Sequence, residues 1–268
     1  MKSFLILLIL QVRDGLVFHK GYCIIFAILM GCWFSACSQH TPEETQASTP
    51  VEPRASAVDP AKAASISGTV NFAGPAPRLR PIDMSNDPGC KGQTASEQVV
   101  VDDGHLANVL VYVKNGLPGG SYDPPKQSLA IKQEGCRYVP HVAAVMVGQP
   151  VQFEDADQTL HNIHPMPKQN REWNQSQMPN SQPLDKVFTQ PELMIPVKCN
   201  QHPWMHMYLS VLNNPYFAVT GKDGKFTLQG LPPGTYTIAA MQERYGERTQ
   251  TITVGPKENK NVDFSYQP

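Results

Sequence analysis

The feature that most restricts what this chain can fold into is the run Cys199-Asn200-Gln201-His202-Pro203-Trp204-Met205, preceded in the sequence by Leu160-His161-Asn162-Ile163-His164. Together the two stretches offer two imidazoles, a thiolate and a thioether, a mixture that suits a one-electron copper site. Zinc would recruit a second thiolate, a third histidine or a carboxylate, and calcium or magnesium would want oxygen. The spacing C-x2-H-x2-M demands a tight loop between two strands that turns its side chains toward one point. The fold must then bring a second segment, with His161, to that loop. Pro203 stiffens the loop and Trp204 shields the point from water.

Composition supports strands on either side. With 19 glycines and 25 prolines, the chain is cut into short segments rich in Val, Thr and Tyr, which favours an all-β protein. Strands are expected at 66–72, 109–113, 128–132, 143–147, 150–154, 193–197, 208–212, 226–228, 235–238 and 249–254. Residues 165–185, rich in Pro, Asn and Gln, read as one long surface loop. His161 follows the 150–154 strand and an Asp155-Ala156-Asp157 turn. The formal net charge of -1 and the lack of a basic cluster argue against nucleic acid as a partner.

The N-terminus carries an apolar run from Tyr22 to Trp33 behind Lys20, the shape of a secretory signal and short of a spanning helix. It ends Phe34-Ser35-Ala36-Cys37, which resembles a bacterial lipoprotein box; Leu29-Met30-Gly31-Cys32 also fits, so Cys37 or Cys32 would carry the lipid. Residues 38–65, built from Pro, Ala, Ser, Thr and Glu, read as a disordered tether. The protein is therefore expected in the cell envelope of a bacterium, periplasmic and lipid-anchored. Of six cysteines, Cys90 and Cys136 are left after the signal, the lipid and the metal, and an oxidising compartment would pair them.

Gly148-Gln149-Pro150-Val151-Gln152-Phe153, then His161-Asn162-Ile163-His164, then Val197-Lys198 and the Cys199–Met205 loop resemble a cupredoxin, with the short loop most similar to that of the amicyanins. The resemblance covers about residues 135–212. It implies one type 1 copper, with His161, Cys199 and His202 as equatorial ligands and Met205 as the axial one. Met207 stays open as the axial alternative, because longer-loop cupredoxins place their methionine there. Asn162 stands where the family steadies the cysteine sulfur. His164 and His206 are expected to face solvent, His141 to be structural, and the His202 edge to be the exit for the electron.

Residues 217–238, with Asp223-Gly224 and Leu231-Pro232-Pro233-Gly234 turns, resemble the carboxypeptidase regulatory-like, or transthyretin-like, β-sandwich. The opening strand of that family matches Ile66–Val70, far from the rest. The expected organisation is a signal peptide at 1–37, a tether at 38–65, the first part of the transthyretin-like domain at 66–126, a cupredoxin at 127–212, and the second part at 213–268. The rival is a chain-order pair, 66–212 and then the tail. The leading functional reading is a carrier of single electrons between redox proteins such as c-type cytochromes or a dehydrogenase. Copper storage or delivery, suggested by Met166, His206 and Met207, and a non-catalytic surface module are the alternatives. No acid–base dyad or His-x-His pair stands out, so an enzyme is not expected.

Overall fold

The computed structural model describes residues 58–90 and 94–268. The signal, both candidate lipid cysteines and all but the last residues of the tether lie outside them. The described chain is all-β, and order begins slightly earlier than expected, with strand Ala64–Phe72. That strand alternates buried and half-exposed residues along its length, the pattern of a sheet with one face on a core.

Two sandwiches account for the described strands apart from the small antiparallel pair Pro81–Ile82 and Thr94–Ala95. In the outer one, Ala64–Phe72 pairs antiparallel with Lys225–Leu231, and parallel with Asn259–Asn261 and Phe264–Tyr266. Its second sheet runs Phe217–Val219, Leu110–Asn115, Gly234–Gln242, Gly246–Val254. The chain thus leaves this sandwich after Asn115 and re-enters it at Phe217. The hairpin at Asp223-Gly224 turns as its sequence suggests, with Gly224 at φ 63°, a left-handed conformation that suits glycine.

The inner sandwich holds the candidate ligands. One sheet runs Leu184–Val187, Pro150–Asp155, Leu129–Gln133, Tyr138–Val139; the other runs Gln175–Gln177, His161–Pro165, Glu192–Lys198, His206–Leu212, Val142–Met146. The stretch read as one surface loop thus contributes two strands. Gln177 is buried there, donating to the Phe153 carbonyl at 3.0 Å and accepting from the Gln133 amide at 2.6 Å. Polar strand residues satisfied inside the core conceal themselves from a reading based on hydrophobic alternation. His161 opens a strand rather than sitting in a loop.

The two sandwiches pack back to back. Along Leu110–Asn115, Val111 and Val113 enter the outer core while Leu110 and Tyr112 join Leu212, Ala239, Ala144 and Leu193 in a cluster between the sheets. This explains why 109–113 reads as a continuous apolar run: the strand is buried on both faces. A second connection is a strap, residues 81–90, which leaves the outer sandwich and lies over the end of the inner one. Met84 and Cys90 of the strap cluster with Cys136 and Trp204, and a Cys90–Cys136 disulfide fixes it, as expected from the cysteine count.

Candidate metal centre

The strand Glu192–Lys198 sends Ile195 and Val197 into the inner core, and Cys199 continues the alternation into the same interior. The loop beyond it is closed by its own backbone: the Cys199 N–H donates to the Met205 carbonyl at 3.0 Å and the Met205 N–H to the His202 carbonyl at 2.9 Å. His202 is thereby turned inward to face His161. The Nδ1 atoms of the two imidazoles lie 3.0 Å apart, and Cys199 Sγ lies 3.6 Å from His202 Nδ1. All three side chains are buried.

The outer nitrogens determine what these inner ones can do. His161 Nε2 lies 2.9 Å from Asp157 Oδ2, and His202 Nε2 lies 2.8 Å from Asp87 Oδ2. An ionised carboxylate only accepts, so each Nε2 carries the proton and each Nδ1 presents a lone pair. Two lone pairs facing each other in a dry interior repel unless a cation, a proton or a metal ion, lies between them. Nitrogens bound at about 2 Å to one near-tetrahedral ion sit about 3.3 Å apart, close to the separation seen. With the sulfur alongside, the donors fit copper better than any hard cation.

Asp87 and Asp157 escaped the sequence reading. Asp157 had a signal, four residues ahead of His161 behind a strand, whereas Asp87 reaches His202 only through the fold. The His202 hydrogen bond, then the Gly89 N–H, holds the Asp87 carboxyl below the usual carboxylate range, and Thr159 Oγ1 also donates to it. Asp157 accepts the backbone N–H groups of Gly135 and Cys136, both at 2.8 Å, which ties it to the disulfide turn. The strap sits tightly: a Cβ on Gly89 would fall 2.6 Å from Thr159 Cβ.

The register separates the two methionines. Met205 lies opposite Cys199, whereas Met207 pairs with Val197, one rung deeper in the same sheet. Both are fully buried on the core face. The methionine whose backbone stands level with Cys199 is Met205. Asn162 acts on the ligand loop through its side chain, whose Oδ1 accepts the Asn200 N–H at 3.1 Å. Its carbonyl takes a hydrogen bond from Tyr138, a hydroxyl that burial, then the nearby Cys199, keeps protonated. Trp204 stacks beside His202 with ring centroids 5.2 Å apart, and its Nε1 donates to the Cys136 carbonyl at 3.2 Å.

Two expectations are corrected. The His202 edge is not an exposed exit: its side chain is 3 % accessible, with Asp87 on Nε2 and Cys90 Sγ 3.5 Å from the same nitrogen. The strap, which no hydrophobic pattern announces, covers it. His206 does not face open solvent either but packs in a cluster with His141 and Glu243. His141 is buried and paired with Glu243, and His164 pairs with Glu172 Oε1 at 2.6 Å.

A family model, that of the carboxypeptidase regulatory-like domain, matches residues 207–267. The window starts within the return strand His206–Leu212 and runs through the C-terminal strands of the outer sandwich. Among solved structures, the chain is similar to a copper-containing nitrite reductase from Thermus scotoductus SA-01, at 17% identity over 37% of this chain and 26% of that one, with a TM-score of 0.31. A purple cupredoxin from Nitrosopumilus maritimus is similar at 19% identity over 31% of this chain and 98% of that one, TM-score 0.27. An oxidised proline-to-glycine mutant of amicyanin follows at 15% identity, 38% and 97% coverage, and TM-score 0.29. The chain spans about a quarter of the nitrite reductase's length, 26%. No curated protein matches.

Proposed function

We propose that this protein carries single electrons through one type 1 copper ion held by His161, Cys199, His202 and Met205. The supporting observation is the facing pair of imidazole lone pairs beside the buried Cys199 sulfur, each imidazole backed by a carboxylate. Copper would supply a one-electron couple in a donor set acceptable to both of its oxidation states. The chain's own contribution is rigidity and dryness. Asp157 and Asp87 fix the ring orientations, Asn162 pins the loop at Asn200, and Trp204 with the strap excludes water.

Exchangeable surface ligands are what a delivery protein needs; of Met166, His206 and Met207, Met207 is fully buried and His206 packs beside His141 and Glu243. This favours a carrier over storage or delivery. The proposed partners are redox proteins such as c-type cytochromes or a dehydrogenase, which would meet the strap rather than a bare imidazole. The proposed setting is the bacterial periplasm, with the chain held at a membrane by an N-terminal lipid and acting as a carrier, not a catalyst. The purified full chain, loaded with Cu(II), is expected to show an intense thiolate-to-copper visible band with narrow electron paramagnetic resonance hyperfine splitting, absent from Cys199→Ser. A colourless protein that retains only Cu(I) would replace this reading with delivery.

A further inference from the structure

We propose a second metal site, formed by His141, His206 and Glu243 at the junction of the two sandwiches, that takes a borderline divalent ion of the Zn2+ class. His141 immediately precedes strand Val142–Met146 and His206 opens the neighbouring parallel strand His206–Leu212, where the Tyr208 N–H donates to the His141 carbonyl at 2.9 Å. Glu243 comes from the turn between the outer strands Gly234–Gln242 and Gly246–Val254. The Gln242 side chain closes that turn by accepting the N–H groups of Arg244 and Tyr245. The two sandwiches therefore present the donors to each other.

One donor atom from each of the three residues lies within 4.8 Å of the others. His141 Nε2 lies 2.6 Å from Glu243 Oε2, with side chains 2 % and 1 % exposed. The remaining donors of this pair, His141 Nδ1 and Glu243 Oε1, are buried without a hydrogen-bond partner. A sealed carboxylate left with an orphan oxygen, beside an imidazole left with an orphan nitrogen, is poorly satisfied, and a bound cation would supply a partner. His206 is prepared for it. Its Nδ1 lies 3.0 Å from the Trp204 carbonyl, which can only accept, so Nδ1 carries the proton and Nε2 the lone pair.

Two imidazoles and one carboxylate form an N/O set that zinc accepts with a fourth position left open. It is harder than the Cys199 set, so the two sites would sort metals by softness. The site would lock the outer sandwich onto the strand that begins directly after Met205.

Zn2+ binding to the full chain, followed by equilibrium dialysis with metal analysis, tests this, with Cys199→Ser as background so that the outcome does not depend on the copper reading. Cys199→Ser should hold one Zn2+ whose affinity falls at least tenfold when His206→Asn or Glu243→Gln is added. Asn at 206 keeps a donor for the Trp204 carbonyl while removing Nε2. Zn2+ affinity equal with and without these substitutions would overturn the site. Should either double variant fail to fold, histidine nitrogen resonances of Cys199→Ser take over as the readout. Zn2+ must then shift those of His141 and His206, and shifts confined to His161 and His202 would reject it.

Discussion

Each imidazole of the candidate centre is held from behind by a carboxylate, Asp157 on His161 and Asp87 on His202, and each carboxylate is itself anchored by backbone N–H groups. Losing such a partner frees the ring and its tautomer. Asp157→Asn is therefore expected to weaken copper binding by about tenfold to a hundredfold, read by competition with a chelator. The methionines give a sharper contrast. Met205→Leu should change the reduction potential and the visible spectrum, because Met205 stands level with Cys199. Met207→Leu, a near-isosteric core change one rung deeper, should leave both intact and cost less than about 1.5 kcal/mol in denaturant unfolding. A reversed pattern would make Met207 the ligand.

Among the elements, the strap is the one whose role sequence periodicity could not supply. Residues 81–90 bury only Met84 and Cys90, yet they bring Asp87 to His202 and seal its edge. The disulfide closes a 46-residue loop, a constraint worth about 4 kcal/mol in a chain-entropy account. Cys90→Ala with Cys136→Ala is expected to lower stability by that order and to speed removal of copper by a chelator. Unchanged removal would mean that the strap stays seated without its bond. Glu192 illustrates a smaller device. Burial pushes its pKa up, but the N–H groups of Lys168, Gln169 and Asn170 outweigh that and hold it below the usual value. The stability it contributes is therefore present above the unfolded carboxylate pKa and is lost as pH falls through the lower folded one.

At the scale of the whole molecule, buried tyrosines set an alkaline limit. Burial first, then the neighbouring Tyr122 and Tyr236, pushes Tyr216 up to about 12, and burial raises Tyr112, Tyr138 and Tyr266 as well. A folded pKa above the unfolded value stabilises fully below the ordinary tyrosine range, and that stability is lost as pH rises through the folded pKa. Chemical denaturation should accordingly show stability falling from about pH 10 upward, with a smaller fall in Tyr216→Phe. Interleaving of the two sandwiches has its own consequence. A chain ended at Leu212 would strip Ala64–Phe72 of Lys225–Leu231 and Leu110–Asn115 of Gly234–Gln242, so the 64–115 region should exchange its amides rapidly. The sequence alone determined the all-β class, most central strands, the Cys90–Cys136 pair and the candidate donors His161, Cys199 and His202 with Met205 or Met207, because alternation and loop spacing are local. Only the tertiary structure decided that Asp87 reaches His202, that the strap hides its edge, and that His206 meets Glu243 across the junction. Those contacts join residues far apart in the chain, and no local pattern encodes which distant carboxylate a folded imidazole will meet.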